Sequence, residues 1–357
     1  MQKITFNNKN NLFFQRLKEK VDLYFKTKNT VATGNASLYV KSILQVGTAV
    51  GLYISLVFLN PDAFLSVILC ALLGSNLAFI GFNIMHEGGH QSFSKIKWIN
   101  KASAYSLNVL GGNALFWKTK HNINHHTYTN IEGMDDDLKV EPFMRIHKTQ
   151  RRYWIHRFQH IYWVLLYGIT YFAWVFIGDF IKYFSGKIAT GTENQRWDLK
   201  EHFIFWCTKI AYVMVYLVLP IYFAGFANTL IGFGIMTFVC GLTIGIVFQM
   251  AHVVEETAFP KPDIQTSKIN KEWAIHQIET TANFGTGNKM LSWLLGGLNF
   301  QVEHHLFPRI SHVHYPAINK LVKETCTEFN VSYLEFTSLS TAFWSHLKHI
   351  KKMGTAA

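Results

Sequence analysis

Five apolar segments constrain the fold of this chain more than any other feature of its sequence. They occupy roughly residues 42–59, 62–85, 160–178, 203–226 and 229–250. An α-helix needs about 20 apolar residues to cross a hydrocarbon core of about 30 Å, and each segment is close to that length. Charged residues make up only 16% of the chain, against about 25% in ordinary soluble proteins. The sequence therefore predicts an all-α integral membrane protein.

The placement of positive charge predicts how many segments cross the membrane. The short turns at 60–62 and 225–229 contain none of the 34 Lys and Arg residues, so both are expected to face away from the cytoplasm. Segment 160–180 is rich in Trp and Tyr and would separate two basic regions if it crossed. We expect it to lie in the interface, as does the Gly-interrupted segment 99–117. The predicted transmembrane helices are therefore four: 42–59, 62–85, 203–226 and 229–250.

The chain divides into a membrane domain and two flanking segments, with both termini expected in the cytoplasm. Residues 1–38 carry apolar residues at helical spacing with Arg and Lys between them, which predicts an amphipathic helix. This helix either lies on an anionic membrane surface or docks on the cytoplasmic part of the protein. Residues 39–325 form the predicted membrane domain with its cytoplasmic helical cap. Residues 326–357 are interpreted as a basic cytoplasmic tail that contains His346 and His349.

The 17 His residues are more than structural roles require, and eight of them fall at spacings typical of metal ligands. His-Glu-Gly-Gly-His at 86–90 and His-Asn-Ile-Asn-His-His at 121–126 each place imidazoles four residues apart, on one face of a helix. Gln-Val-Glu-His-His at 301–305 adds two more, and His252 ends the last apolar segment. All of these groups lie at predicted cytoplasmic ends of spans or in cytoplasmic segments, so we expect them to converge.

Seven or eight imidazoles exceed the three or four ligands of a zinc site. They suit two first-row metal ions with positions left open for a substrate, and a set dominated by His favours iron over magnesium or calcium. Glu87 and Glu303, inside two of the clusters, are candidate ligands or hydrogen-bond acceptors for the outer nitrogen of a ligating His. The acidic run 135–137 is a further candidate for that second role, and a solvated turn is its alternative interpretation.

Several other polar residues near the clusters have two interpretations. Trp117, Lys118 and Lys120 precede the second cluster, where the lysines either pair with a lipid or CoA phosphate or extend to the interface. His276 is expected to be structural, and His312 is expected to lie on the surface or behind a ligating histidine rather than to be a ligand itself.

The three clusters resemble the histidine boxes of the integral-membrane fatty acid desaturases. The resemblance covers about residues 35–325 and includes Trp-Lys-Thr-Lys-His before the second box. Gln301, which opens the third box, resembles the front-end acyl-CoA or acyl-lipid branch, and it occupies a ligand or near-ligand position whose role stays open. The resemblance implies a di-iron site held by eight residues: His86, His90, His121, His125, His126, His252, His304 and His305.

This resemblance implies an O2-dependent enzyme that introduces a cis double bond into a fatty acyl-CoA or the acyl chain of a phospholipid. The sequence has no stretch resembling the fused cytochrome domain of many front-end enzymes, so the expected electron donor is a separate ferredoxin, flavodoxin or free cytochrome. The net charge of +12 would suit an acidic donor or anionic membrane lipid equally well. The expected location is a bacterial inner membrane or the endoplasmic reticulum, with the site on the cytoplasmic face and no nucleic-acid partner.

Three other functions stay open at this point. A di-iron hydroxylase would use the same boxes and add oxygen instead of removing a second hydrogen. The segment 86–90 also fits the His-Glu-x-x-His pattern of zinc proteases with Glu87 as general base, but that function leaves most of the clustered histidines without a role. A metal carrier would require polar residues within the spans, where they are scarce.

Overall fold

Long helices dominate the computed structural model, which describes residues 4–9 and 11–356. Five of these helices are long and apolar enough to cross a membrane. They are α2 (Ala36–Phe58), α3 (Ala63–Gly89), α6 (Trp154–Ser185), α7 (Leu199–Ala224) and α8 (Phe226–His252). The predicted all-α membrane fold is confirmed.

Shorter elements build the layer that holds the histidine clusters. The helices are α1 (Leu12–Lys28), α4 (Lys97–Val109), α5 (114–128), α9 (Trp273–Glu279), α10 (Lys289–Leu294), α11 (Gln301–Leu306), α12 (Tyr315–Glu328) and α13 (Leu339–Thr355). The strands form two short parallel pairs: β1 (Thr5–Phe6) with β2 (Lys268–Ile269), and β3 (Asn283–Phe284) with β4 (Glu335–Phe336). These pairs fasten distant segments together without forming a larger sheet.

Small residues bring the long helices into close contact around α8. A Cβ added to Gly74 on α3 would lie 2.3 Å from the Met236 carbonyl oxygen, and one added to Gly241 would lie 2.5 Å from the Gly168 carbonyl oxygen on α6. Because the atoms that a Cβ would meet belong to the backbone of a packed helix and cannot move aside, only glycine fits at these crossings. Small residues at helix crossings are typical of packing in membranes, where hydrophobic burial alone does not drive association.

Helix α6 contains the segment that the sequence predicts to be interfacial, and both of its flanks contact the layer that carries the histidines. At its start, Gln159 donates to the carbonyl oxygen of Ile350 on α13 at 2.5 Å. Just after its end, the Thr190 backbone N–H donates to Asp136, and Asn124 donates to the Thr190 carbonyl oxygen at 3.0 Å. The number of helices that cross the membrane stays a prediction.

The amphipathic N-terminal helix docks on the protein rather than standing apart from it. In α1, the buried residues Phe13, Leu17 and Val21 pack with a cluster that includes Ile278 and Val322. Of the two alternatives for this segment, the structure shows docking on the histidine-bearing layer. Residues 1–3 and 10 of the predicted segment lie outside the described residues.

The C-terminal segment forms the helix α13, which packs against the rest of the protein and is not a loose tail. The ring of His346 on α13 donates from Nδ1 to the Val253 carbonyl oxygen at 2.6 Å, and the Nε2 of His349 donates to that of Ile146 at 2.8 Å. The buried face of α13 is apolar and histidine-bearing while its basic residues stay exposed, so counting charge alone hid the amphipathic pattern.

Candidate metal centre

The eight clustered histidines converge although they come from four separate parts of the chain. Groups of ligand atoms lie within 4.8 Å of one another in two adjoining sets. The first set is His86, His90, His121 and His304. The second set is His125, His252 and His305. His126 adjoins both sets. Its ligand atom lies within 4.8 Å of those of His304 and His305, and its Nε2 lies 3.3 Å from the Nε2 of His121.

The first box ends helix α3, which changes from α to π geometry over Gly81–Met85 just before His86. Such π turns are frequent at functional sites. The two glycines between the histidines allow close approach: a Cβ on Gly88 would lie 2.5 Å from the Ala104 backbone nitrogen, and one on Gly89 would lie 2.3 Å from the Trp117 ring. Helices α4 and α5 can therefore pack directly on the box.

The second box lies in a π turn, Thr119–His125, inside α5. An i→i+5 turn is wider than an α turn, so the side chains at i+4 and i+5 lie on either side of the side chain at i. His125 and His126 therefore both reach the centre alongside His121. The α-helical spacing expected from sequence explains His125 but not this use of His126.

The third box forms α11, where His304 and His305 are buried beside His252 at the end of α8. Gln301 starts this short helix and its Nε2 lies 2.9 Å from the Nε2 of His252. The glutamine therefore contacts the centre through one of its histidines, next to the second set.

The outer nitrogens of five histidines are held by specific partners. His121 Nδ1 lies 3.1 Å from Asp137, and His125 Nδ1 lies 3.0 Å from Asp135. The acidic run 135–137 thus supplies the predicted hydrogen bonds through two of its three members. The other partners, which sequence reasoning missed, are Tyr315 for His304, Gln277 for His305 and the Thr280 carbonyl oxygen for His252.

The inner nitrogens of four of the eight histidines have no such partner, whereas that of His252 lies beside the Gln301 amide. Among the described residues, buried ring nitrogens without a hydrogen bond include the Nε2 atoms of His90, His125, His304 and His305. Burial lowers the pKa of His90, His304 and His305 well below its ordinary value, helped by the neighbouring imidazoles. Neutral imidazoles with unpartnered nitrogens are the form that binds metal, so this donor set fits two first-row ions.

Comparison with known proteins identifies what this centre belongs to. Residues 62–337 match the family described as "Fatty acid desaturase". The chain belongs to the fatty acid desaturase family. It is 33% identical to an acyl-lipid (8-3)-desaturase of Physcomitrium patens over 96% of this chain and 72% of the relative. It is also 33% identical to an sn-1 linoleoyl-lipid 6-desaturase of Arthrospira platensis, over 98% and 95% of the two chains.

A third relative, an sn-1 linoleoyl-lipid 6-desaturase of Synechocystis, is 32% identical over 100% of this chain and 99% of its own. The family and these relatives establish the protein as a fatty acyl desaturase, an oxidoreductase. The predicted resemblance to the front-end branch is confirmed.

The two glutamates of the desaturase boxes do not contact a box histidine through their carboxylates. Glu87 accepts hydrogen bonds from Ser92 and from the backbone and ring of His312. Glu303 accepts from Asn283 at 2.7 Å and from two further side chains, and burial raises its pKa to about 7. Each carboxylate is directed away from the histidine side chains next to it in sequence, so the hydrogen-bonding role expected for both is taken by Asp135 and Asp137.

The residues predicted to meet a substrate headgroup separate in the desaturase structure. Trp117 packs against the centre, with its ring stacked on that of His121 at 4.6 Å between centroids. Lys120 forms an ion pair with Asp137 at 2.7 Å, whereas the side chain of Lys118 is exposed. Only Lys118 keeps a charged group free on the surface.

The histidines set aside in the sequence do not join the centre. His312 lies between Glu87, at 2.7 Å, and the Nζ of Lys41, at 2.8 Å. His276 is buried against the ring of Phe6. His276 is therefore in the structural setting expected for it, whereas His312 is buried between two charged groups and is not a surface residue.

Proposed function

We propose that this desaturase is an O2-dependent enzyme that holds two iron ions and forms a cis double bond in the acyl chain of a membrane lipid. The observation that carries the proposal is the convergence of eight histidines, four of which have a buried inner nitrogen without a hydrogen-bond partner among the described residues. The acyl-lipid names of the relatives favour a lipid over a CoA ester as the substrate.

The eight histidines would divide into the two sets described above, with His126 adjoining both. Bound iron would supply O2 activation and the abstraction of hydrogen from an unactivated methylene group, which no protein side chain can perform. The chain itself would hold the imidazoles neutral and oriented, through burial and the hydrogen bonds to their outer nitrogens. It would also keep water from the centre, since Trp117 covers the first set.

A zinc protease would need the second residue of its His-Glu-x-x-His motif to act as base on a metal-bound water. The Glu87 carboxylate is buried and held by His312 and Ser92 instead. Its geometry therefore argues for the desaturase use of the same five residues.

We propose four crossings, with α6 lying along the cytoplasmic interface and the histidine layer in the cytoplasm. Support comes from the contacts at both flanks of α6, which lie on the same layer. Exposed Arg151, Arg152 and Arg157 at its start and Lys351 on α13 add positive charge to that layer, as the cytoplasmic side requires. The electron donor would be a separate acidic protein that approaches this basic face.

The topology is tested by labelling single cysteines with a membrane-impermeant maleimide. Pro61→Cys should be labelled from outside the cell, whereas Asn194→Cys should be labelled only after the membrane is permeabilised. Labelling of Asn194→Cys from outside would show that α6 crosses.

The activity is tested by expression in a host of known lipid composition, with mass spectrometry of the fatty acids and location of any new double bond. Loss of two hydrogen atoms supports desaturation, whereas gain of an oxygen atom would identify a hydroxylase. His126→Ala should abolish the product. His147→Ala is the matched control, because His147 hydrogen-bonds Thr149 away from the centre. Full turnover by His126→Ala, or one zinc per chain, would refute the proposal.

A further inference from the structure

The partners of the outer nitrogens differ in charge among the three ligands of the second metal set. His125 faces the carboxylate of Asp135, with one oxygen 3.0 Å from its Nδ1. His305, in the same set, faces the neutral side chain of Gln277 at 2.8 Å. His125 therefore has an anionic partner, whereas His305 and His252, which faces the Thr280 carbonyl oxygen, have neutral ones.

Gln277 is placed for this contact by helix α9, where its side chain is fully buried. Its Oε1 lies 2.8 Å from His305 Nδ1 and also accepts from the Thr129 hydroxyl at 2.9 Å. Thr129 lies three residues after the second box and its hydroxyl also contacts the His125 carbonyl oxygen, so Gln277 connects α9, the second box and the third box at one point. Its own Nε2 has no partner among the described residues.

The orientation of this amide decides which nitrogen of His305 carries the proton. An imidazole binds metal through its unprotonated nitrogen, and the hydrogen bond made by the other nitrogen selects that tautomer. With Oε1 toward the ring, Nδ1 is the donor and Nε2 keeps its lone pair for the metal. With the amide reversed, Nδ1 would accept and Nε2 would be protonated, which would remove His305 as a ligand.

We propose that Gln277 is a positioning residue for the metal centre: it holds His305 with Nδ1 protonated and Nε2 free, and it adds no charge to the second metal set. This inference rests on the proposed function, because it requires that His305 binds a metal. It goes beyond that function in assigning a residue outside the three boxes.

The test compares two substitutions by metal content and by spectroscopy. Gln277→Met keeps the volume of the side chain but removes the acceptor, so one of the two metal ions should bind roughly 10–100-fold more weakly. Gln277→Glu keeps the acceptor, so it should restore both ions. It should also shift the reduction potential of the centre to a more negative value, because the added charge stabilises the oxidised state. The number of metal ions per chain is measured in the presence of a competing chelator. The coordination of the bound metal is followed by the absorption spectrum of the Co(II)-loaded protein.

Gln159→Met is the matched control, because Gln159 is equally buried and hydrogen-bonded but lies at Arg145 and α13, away from the histidines. It should keep both ions. Equal metal affinity in Gln277→Met and the wild type would overturn the assignment, and so would an unchanged potential in Gln277→Glu if Gln277→Met does not fold. A wild-type chain that binds no pair of ions would instead overturn the proposed function, which separates the two failures.

Discussion

Replacement of Asp135 by Asn tests how the protein would hold the proposed metal centre. The side chain of Asp135 is 1% exposed, and its two oxygens lie 3.1 and 3.0 Å from His125 Nδ1. The same carboxylate accepts from the backbone N–H groups of Asn130 and Asp137, each at 3.0 Å. Every contact of this group is thus with a donor. An Asn of the same shape must direct its own NH2 group toward one of them.

The size of the effect follows from that geometry. Asp135→Asn loses one charge-assisted hydrogen bond to a buried histidine, which contributes about 1.5–3 kcal/mol. Removal of an acceptor behind a metal-bound histidine typically weakens metal binding by about 10–100-fold, and each tenfold step corresponds to about 1.4 kcal/mol. The two estimates agree. We therefore expect the ion held by the second set to bind about 10–100-fold more weakly.

The assay is metal per chain as a function of a competing chelator, in detergent or nanodiscs. Asp136→Asn is the matched control, since it makes the same charge change next in sequence but its carboxylate bonds Thr190 rather than a histidine. If Asp135→Asn binds both ions as tightly as Asp136→Asn does, the reasoning that Asp135 supports His125 is refuted.

Three further predictions concern stability. Gly241→Ala should lower the free energy of unfolding by about 1–3 kcal/mol, because its Cβ would meet the Gly168 carbonyl oxygen at 2.5 Å; Gly234→Ala on the same helix meets nothing within 4 Å and should be neutral in thermal denaturation. His312→Leu should destabilise by about 3–5 kcal/mol, because it leaves Lys41 and Glu87 buried without their shared partner; a melting temperature equal to that of the wild type would contradict this. Burial lowers the pKa of His346 to about 4 in the folded protein. As the pH falls, the unfolded chain therefore protonates this histidine before the folded chain does. The free energy of unfolding should decrease between about pH 6.5 and 4, by up to about 3 kcal/mol. His346→Gln should show a smaller loss over that window, and an identical pH profile would refute the assignment.

The structure also shows where counting charge misleads. The C-terminal segment reads as a basic tail, yet every third or fourth residue of α13 is buried, including His346 and His349. For the N-terminal helix the amphipathic pattern is evident in the sequence. The pattern does not show whether its apolar face contacts a membrane or another part of the protein. Its partner residues Ile278 and Val322 lie more than 250 positions away, and periodicity carries no information about such distant surfaces.

The sequence by itself determined the chemistry of this protein, because apolar runs of membrane length and histidines at ligand spacings are local patterns with few other uses. It identified the eight histidines that converge and the acidic run that hydrogen-bonds two of them. Only the tertiary structure decided which set each histidine joins, that a π turn brings His126 in with His125, and that Glu87 and Glu303 are directed elsewhere. It alone brought Gln277, Thr280 and Tyr315 to the outer nitrogens. The physical reason is that a hydrogen-bond partner is selected by position in space, and residues on separate helices have no spacing in sequence that reveals it.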